Sequence, residues 1–384
     1  MSCIVILCVR VIAITAVFAC VQFASNVTAA EKKTGSRPDW EKVIEAAKAE
    51  GQLTIYSGAI PALVINEGVF QKRYPEIKIV TIIGDGGADA VNRILAERRA
   101  AKYVADLVLG TSSSLWTLHL IKALDPIDPM LILPEVTDES KWWQGLHRYV
   151  DTEKQYIFTF MGSPRGGSVF YNTHLVNPNE INSYWDLLDS KWKGKIEARD
   201  LRGRDSVPPS VRFLYYHPAL GPKYLSRLFG EMDVTIFRDR RVSVDWLATG
   251  KYALCFLCLP SEVARAKQQK LPVEAFGLLK EGAWLDSLTG NIAVLNKAPH
   301  HNAAMVFLNW LLSREGQLTA QKVNARADVG VSNSLRTDIP KDMISADERP
   351  MPGVSYLEVD TADKIPSEPI MKIFKEASGR RGKN

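Results

Sequence analysis

Beyond residue 20 this 384-residue chain carries two cysteines, Cys255 and Cys258. That scarcity excludes a small disulfide-stapled scaffold, and a chain of this length can bury two cores of ordinary size without one. After the first 30 residues no apolar run is long enough to span a membrane as a helix. A large excess of one charge sign is missing as well. With 48 basic residues against 43 acidic ones, and no compact basic block except Arg380, Arg381 and Lys383, the footprint of a nucleic-acid binder is missing. The six histidines are scattered without a metal-binding pair, and His300-His301, opening a helix, reads as surface. The serines at 112–114 lack the Gly-x-Ser-x-Gly setting of a nucleophile elbow. Neither catalysis, nor a cofactor, nor a metal site is expected from this inventory.

What is present starts with residues 1–30. Thirteen residues, 11–23, all apolar or small except Gln22, run into Ser25-Asn26-Val27-Thr28-Ala29-Ala30 and then abruptly into charge. The run is too short and wrongly flanked for a membrane span, and its small residues have the spacing a signal peptidase accepts. Residues 1–30 are therefore expected to be a cleaved export signal, leaving a mature net charge of +4. Cys20 could instead carry a lipid anchor, an expectation weakened by bulky Phe18 and the apolar Val21 and Phe23 that follow. Cys255 and Cys258 lie in the apolar run 252–259, which reads as a buried strand. Strand positions three apart point to opposite faces, so this pair is expected to be two small buried hydrophobes rather than a disulfide.

From Trp40 onward short apolar runs alternate with helical patterns, as a parallel sheet covered by helices requires. Helices are predicted over 40–50 and 63–73, and strands over 53–56, 77–83 and 104–109. Gly84-Asp85-Gly86-Gly87 opens a further helix whose apolar face holds Val91, Ile94 and Leu95. Two β-rich runs around 162–167 read as a hairpin leading into a second domain, built from strands at 195–198, 234–237 and 252–259 with helices between them. The strand 292–295 and the helices 301–312 and 315–323 have no partner strands nearby, so they are expected to return to the first domain. A terminal helix is predicted at 370–377. The expected division is lobe 1 at 31–165 and 285–384, with lobe 2 at 166–284.

Six stretches in this order carry a resemblance. They are Leu53-Thr-Ile-Tyr-Ser57, Phe70-Gln-Lys-Arg-Tyr-Pro75 with the strand after it, and Ala101-Lys-Tyr-Val-Ala-Asp-Leu-Val108. Then come Val169-Phe-Tyr-Asn-Thr173, Tyr184-Trp-Asp-Leu-Leu-Asp-Ser-Lys-Trp-Lys-Gly-Lys-Ile196, and Asn296-Lys-Ala-Pro-His300 with Phe307-Leu-Asn-Trp-Leu-Leu-Ser313. Together they resemble the substrate-binding proteins of ABC importers, in the branch of ferric-iron, thiamine and polyamine binders. The resemblance implies a type II periplasmic-binding-protein fold of class α/β. Each lobe is then a mostly parallel sheet flanked by helices, two crossing strands join the lobes, and the ligand cleft lies between them. It further implies a monomer in the periplasm that delivers a small solute to permease subunits with their ATPase.

Ligands of open α/β sheets lie outside the carboxyl ends of the strands, against helix N-termini. That rule selects Ser57 and Gly58 after the first strand, Asp85 and Gly86 after the second, and Thr111, Ser112 and Ser113 after the third. In lobe 2 it selects Arg199, Arg240 and Ser261, with Tyr171 on the hinge. Each has an ordinary structural job available too: caps for the serines, a turn for the glycines, packing for Tyr171, a solvated face for the arginines. Ferric binders of the branch resemble one another in adjacent tyrosines after the strand matching 252–259, where this chain has Leu259-Pro260-Ser261-Glu262. Hydroxyls, helix N-termini and arginine instead suit an anion or an anionic metal chelate. The alternatives are an exported enzyme on the same scaffold and a ligand-sensing receptor.

Overall fold

The computed structural model describes residues 38–379 apart from 85–87, 167, 203–206 and 328. The export signal, Cys20, Asp85 and Gly86 therefore lie outside the described residues. No described helix is long and apolar enough to cross a membrane.

The first sheet starts with three parallel strands, β1 (Gln52–Gly58), β2 (Lys78–Gly84) and β3 (Leu107–Gly110). Its remaining strands are β4 (Leu124–Asp125), β5 (Arg148–Tyr149), β6 (Phe158–Thr159) and β14 (Asn291–Leu295), and its order is β2-β1-β3-β14-β6-β5, with β4 on β14. β14 runs antiparallel to β3. The strand predicted to return from far along the chain thus sits in the middle of this sheet. Both faces are covered, which is why β1 is buried along nearly its whole length rather than alternating. One face packs on Phe70, Phe307 and Trp310, whose rings meet edge to face. The other packs on Tyr56, Ile94, Leu115 and Leu118.

The second sheet holds β8 (Val169–Asn172), β9 (Ile196–Arg199), β10 (Thr235–Phe237), β11 (Leu254–Phe256) and β12 (Val273–Ala275), in the order β10-β9-β11-β8-β12. β9, β10 and β11 are parallel, and β8 and β12 supply its antiparallel edge. Between the sheets lies a two-stranded antiparallel ribbon of β7 (Ser163–Arg165) and β13 (Trp284–Asp286). The predicted hairpin around 162–167 does not form, because β7 pairs with a strand from 120 residues later while β8 joins β11 and β12. Trp284 on the ribbon is 2 % exposed and packs on Phe213, so it belongs to the core of the second lobe.

Three further differences from the sequence reading have local causes. The helix predicted over 63–73 is two helices, Ala59–Asn66 and Val69–Arg73, separated at Gly68, whose φ of 75° is left-handed. The terminal helix Glu368–Gly379 packs on the helix Gly221–Glu231, and Val359, Ile370 and Phe374 enter the second core, although the sequence reading gave this tail to lobe 1. Cys255 and Cys258 form a disulfide with Cα atoms 5.9 Å apart. The opposite-face argument fails because the strand ends at Phe256, and Leu257 at φ 64° turns the chain so that Cys258 comes back to the face of Cys255.

Candidate functional site

The carboxyl ends of β1, β2 and β3 precede helix N-termini in the first lobe, and those of β9, β10 and β11 end in loops leading to helices in the second. The helix Ser112–Leu120 starts directly after β3. Its N-cap is Thr111, whose hydroxyl accepts the Ser114 N–H at 3.3 Å and lies 2.8 Å from Ser114 Oγ. With capping done by Thr111, the next two hydroxyls are free to bond outside the helix. Ser112 Oγ donates to Asp360 Oδ1 at 2.8 Å, and Ser113 Oγ accepts from Arg212 Nη1 at 3.2 Å.

Arg212 belongs to the first turn of the helix Pro209–Tyr216 in the second lobe and is fully buried. Its fork is filled. Nε donates to the Val359 carbonyl at 2.9 Å, Nη1 also to the Val207 carbonyl at 2.8 Å, and Nη2 to Asp360 Oδ1. Asp360 Oδ2 accepts from Ser287 Oγ at 3.1 Å, and Asn291 Nδ2 donates to the same Ser287 Oγ at 3.2 Å. Asn291 is itself held by the Gly110 carbonyl at 3.1 Å and by Thr159 Oγ1 at 2.7 Å. One carboxylate is thus gripped by a helix N-terminal serine of the first lobe, an arginine of the second, and a serine just beyond the ribbon that joins them. Charge-assisted bonds of this kind are about twice as strong as neutral ones.

A cavity of about 190 Å³ opens beside this cluster, lined among others by Arg148, Tyr149, Thr159, Ser287, Asp360 and Thr361. On the ribbon, burial and then the nearby Asp360 charge push Asp286 up to about 6, against the pull of Arg165 and Arg212. Further along the second lobe, Asp200 at the end of β9 accepts from Arg202 Nε at 2.8 Å and Arg238 Nε at 3.0 Å. Burial opposes its ionisation, yet the Arg202 and Arg238 hydrogen bonds hold it down to about 2. Chemically, the Arg212 cluster is a set of oriented N–H and O–H donors converging on one anionic group, with Asp360 in that position.

The predicted residues are distributed unevenly around this cluster. Ser112 and Ser113 are in it, and Thr111 supports it as a cap. Ser57 is buried at the end of β1 and donates to the adjacent Gly58 carbonyl at 2.7 Å, while Gly58 caps the helix Ala59–Asn66 without a side chain. Tyr171 is buried on β8 with its ring 4.5 Å from Phe276, and burial and then Glu274 raise its hydroxyl above the ordinary value. Arg199 ends β9; Arg240 and Ser261 stand in the first turns of the helices Arg240–Ala248 and Pro260–Gln268, their side chains outside the described residues. Arg212, Ser287 and Asp360 escaped the sequence reading. A faint signal for Arg212 existed, a lone cation among Val211, Phe213 and Leu214 on an otherwise apolar helix face; Asp360, in a charged and proline-rich tail, gave none.

A family model described as bacterial extracellular solute-binding protein matches residues 50–318. Among solved structures, the chain resembles the Trichodesmium protein IdiA (FutA) in complex with iron and citrate, at 18% identity and a TM-score of 0.60, covering 86% of this chain and 99% of that one. It also resembles iron-bound HitA from Pseudomonas aeruginosa, at 16% identity and a TM-score of 0.56, covering 85% and 99%. The spermidine/putrescine transporter substrate-binding protein PotD from Streptococcus pneumoniae follows at 12% identity and a TM-score of 0.51, covering 73% and 83%. These likenesses are likenesses of fold. No curated protein matches the sequence.

Proposed function

We propose, for a chain that belongs to the bacterial extracellular solute-binding protein family, that the solute it captures is an anion or an anionic metal chelate. The chain is the solute-binding component of an ABC importer, and its family is one of exported binding proteins rather than enzymes. The anionic reading rests on one observation: Arg212 and the hydroxyls of Ser112 and Ser287 converge on a single carboxylate from different parts of the fold. A solute carboxylate or phosphate would take the position that Asp360 fills, and the two lobes would close on it as one monomer presents itself to a permease. The absence of adjacent tyrosines at 259–262 favours a chelate over a bare ferric ion, and the Trichodesmium protein, solved in complex with iron and citrate, supports that class of solute.

The test is calorimetry on the mature protein against citrate, ferric citrate, a phosphate ester and spermidine. Binding of at least one anion, weakened in Arg212→Gln, supports the reading. Tight binding of spermidine with no anion bound refutes it.

A further inference from the structure

The core of the second lobe buries a carboxyl group that has no hydrogen-bond partner among the described residues. Glu197, in the middle of β9, is 0 % exposed, and among the described residues neither of its carboxyl oxygens has a hydrogen-bond partner. Burying such a group unpaired is destabilising unless something engages it. Its register partner on β11 is Cys255, and the left-handed turn at Leu257 brings Cys258 to the same face. Leu257 is a γ-branched residue in a conformation natural to glycine, a local strain the surrounding packing must hold. Both cysteines are buried, one at 0 % and the other at 2 % exposure. The ligand atoms of Glu197, Cys255 and Cys258 all lie within 4.8 Å of one another, and Ser243 Oγ stands 3.5 Å from Cys258 Sγ.

We infer that, in its dithiol state, the second lobe binds one borderline divalent metal ion of the zinc type through Glu197, Cys255 and Cys258. Two thiolates with one carboxylate suit zinc better than calcium or magnesium, which want oxygen alone, or copper(I), which wants sulfur. Zinc bonds run about 2.3 Å to sulfur and about 2.0 Å to oxygen, so ligand atoms sharing one ion lie within the 4.8 Å that separates these at most. The sequence of events balances. A dithiol reductant gives two electrons and two protons to the Cys255–Cys258 bond, leaving two thiols and the reductant as its own disulfide. The ion then takes both sulfurs and a Glu197 oxygen, releasing the two thiol protons and the carboxyl proton. Burial holds that carboxyl proton to about 9, against the pull of Lys251, so without a cation on it the group stays neutral. The site is separate from the Arg212 cluster and depends on no reading of the solute.

The experiment takes the folded mature protein, oxidised or reduced by a phosphine, and titrates it with zinc, using cobalt(II) as the spectroscopic probe. The expected result is one ion per reduced chain with a thiolate-to-cobalt absorption band, and none per oxidised chain. Glu197→Gln matches the neutral carboxyl in shape and should fold; it should weaken binding by no less than the roughly 10–100-fold typical of losing even an outer-shell partner. Cys255→Ser/Cys258→Ser should abolish the band. Stoichiometric binding that survives in that double variant overturns the inference, as does a reduced wild type that binds no ion. A disulfide that the phosphine cannot open in the folded protein overturns it too, since the dithiol state would then not be reached.

Discussion

Replacing Asp360 by asparagine isolates the charge on which the site turns. The side chain keeps its size, its place between lobes and one carbonyl oxygen for Ser112 or Ser287, but it no longer neutralises Arg212. In the native protein that arginine is fully buried and Asp360 is 12% exposed, so the pair sits where solvent screens little. Breaking a buried pair by deleting one partner costs about 3–5 kcal/mol; because asparagine retains part of the hydrogen bonding, about 2–4 kcal/mol is expected here. The guanidinium then lacks its counter-charge, so an anion that displaces the amide meets an uncompensated cation together with the two serine hydroxyls. Asp360→Asn should therefore unfold at lower temperature in plain buffer, yet, if the proposed anionic solute is right, bind a carboxylate or phosphate ligand roughly 10–100-fold more tightly than wild type, since the anion no longer competes with an internal carboxylate. The assay is thermal unfolding with and without citrate or a phosphate ester, alongside calorimetry. Ligand should recover much of the lost stability in the variant and less in wild type. If Asp360→Asn is destabilised but gains no anion affinity, Asp360 is a structural strut and the competition argument is wrong.

Other perturbations test neighbouring parts of the argument. Asp286 titrates near 6 when folded against an ordinary carboxylate value, so its proton is held more tightly by the folded state; that contribution is complete below about pH 4 and is lost as pH rises through 6. Denaturant titrations should show stability falling over that window by up to about 3 kcal/mol, and Asp286→Asn should flatten the fall. Ser113→Ala removes one neutral acceptor from Arg212 and should cost only about 1 kcal/mol of unfolding free energy. Gly68→Ala meets no atom within 4 Å but must adopt a φ of 75°, so the melting temperature should drop by the equivalent of about 1 kcal/mol. Phe374→Ala should cost about 3–5 kcal/mol by chemical denaturation, because the ring is buried against Phe229 at 4.9 Å; a negligible loss would mean the terminal helix is not part of the second core.

The elements that sequence made legible are those whose cause is local. The helix His301–Leu312 falls at its predicted bounds, and Ser313 caps the helix after it by accepting the Gly316 N–H at 3.2 Å. The strands after Gly51, Pro75 and Lys195 follow from short apolar runs between breakers. The misread elements depend on partners far away. β7 resembles half of a hairpin until β13 claims it, and a helix spanning Gly68 satisfies periodicity while ignoring what one left-handed glycine does to it. The cysteine pair failed in the same manner: the alternation rule is sound for a strand, but it assumed that the strand continues through Leu257.

The site divides along the same line. Ser112 and Ser113 were readable because a strand end followed by hydroxyls and a helix is a pattern within a few residues. Arg212 and Asp360 are separated by 148 positions and gain their meaning only from each other. Asp360 is delivered by a tail whose anchor, the helix Glu368–Gly379, is docked on the second lobe, while its carboxylate accepts from Ser112 in the first. The same tail is also tied to the first lobe, since the Ala362 N–H donates to the Val150 carbonyl at 2.9 Å and Ile365 lies in a core of the first sheet. Lobe opening would therefore have to strain the contacts that meet at Asp360 and Arg212, those of Ser112, Ser113 and Ser287 among them. An incoming anion that bonds the two serines and the arginine at once would replace those cross-lobe contacts, so that closure becomes conditional on solute in proportion to how completely it displaces the carboxylate.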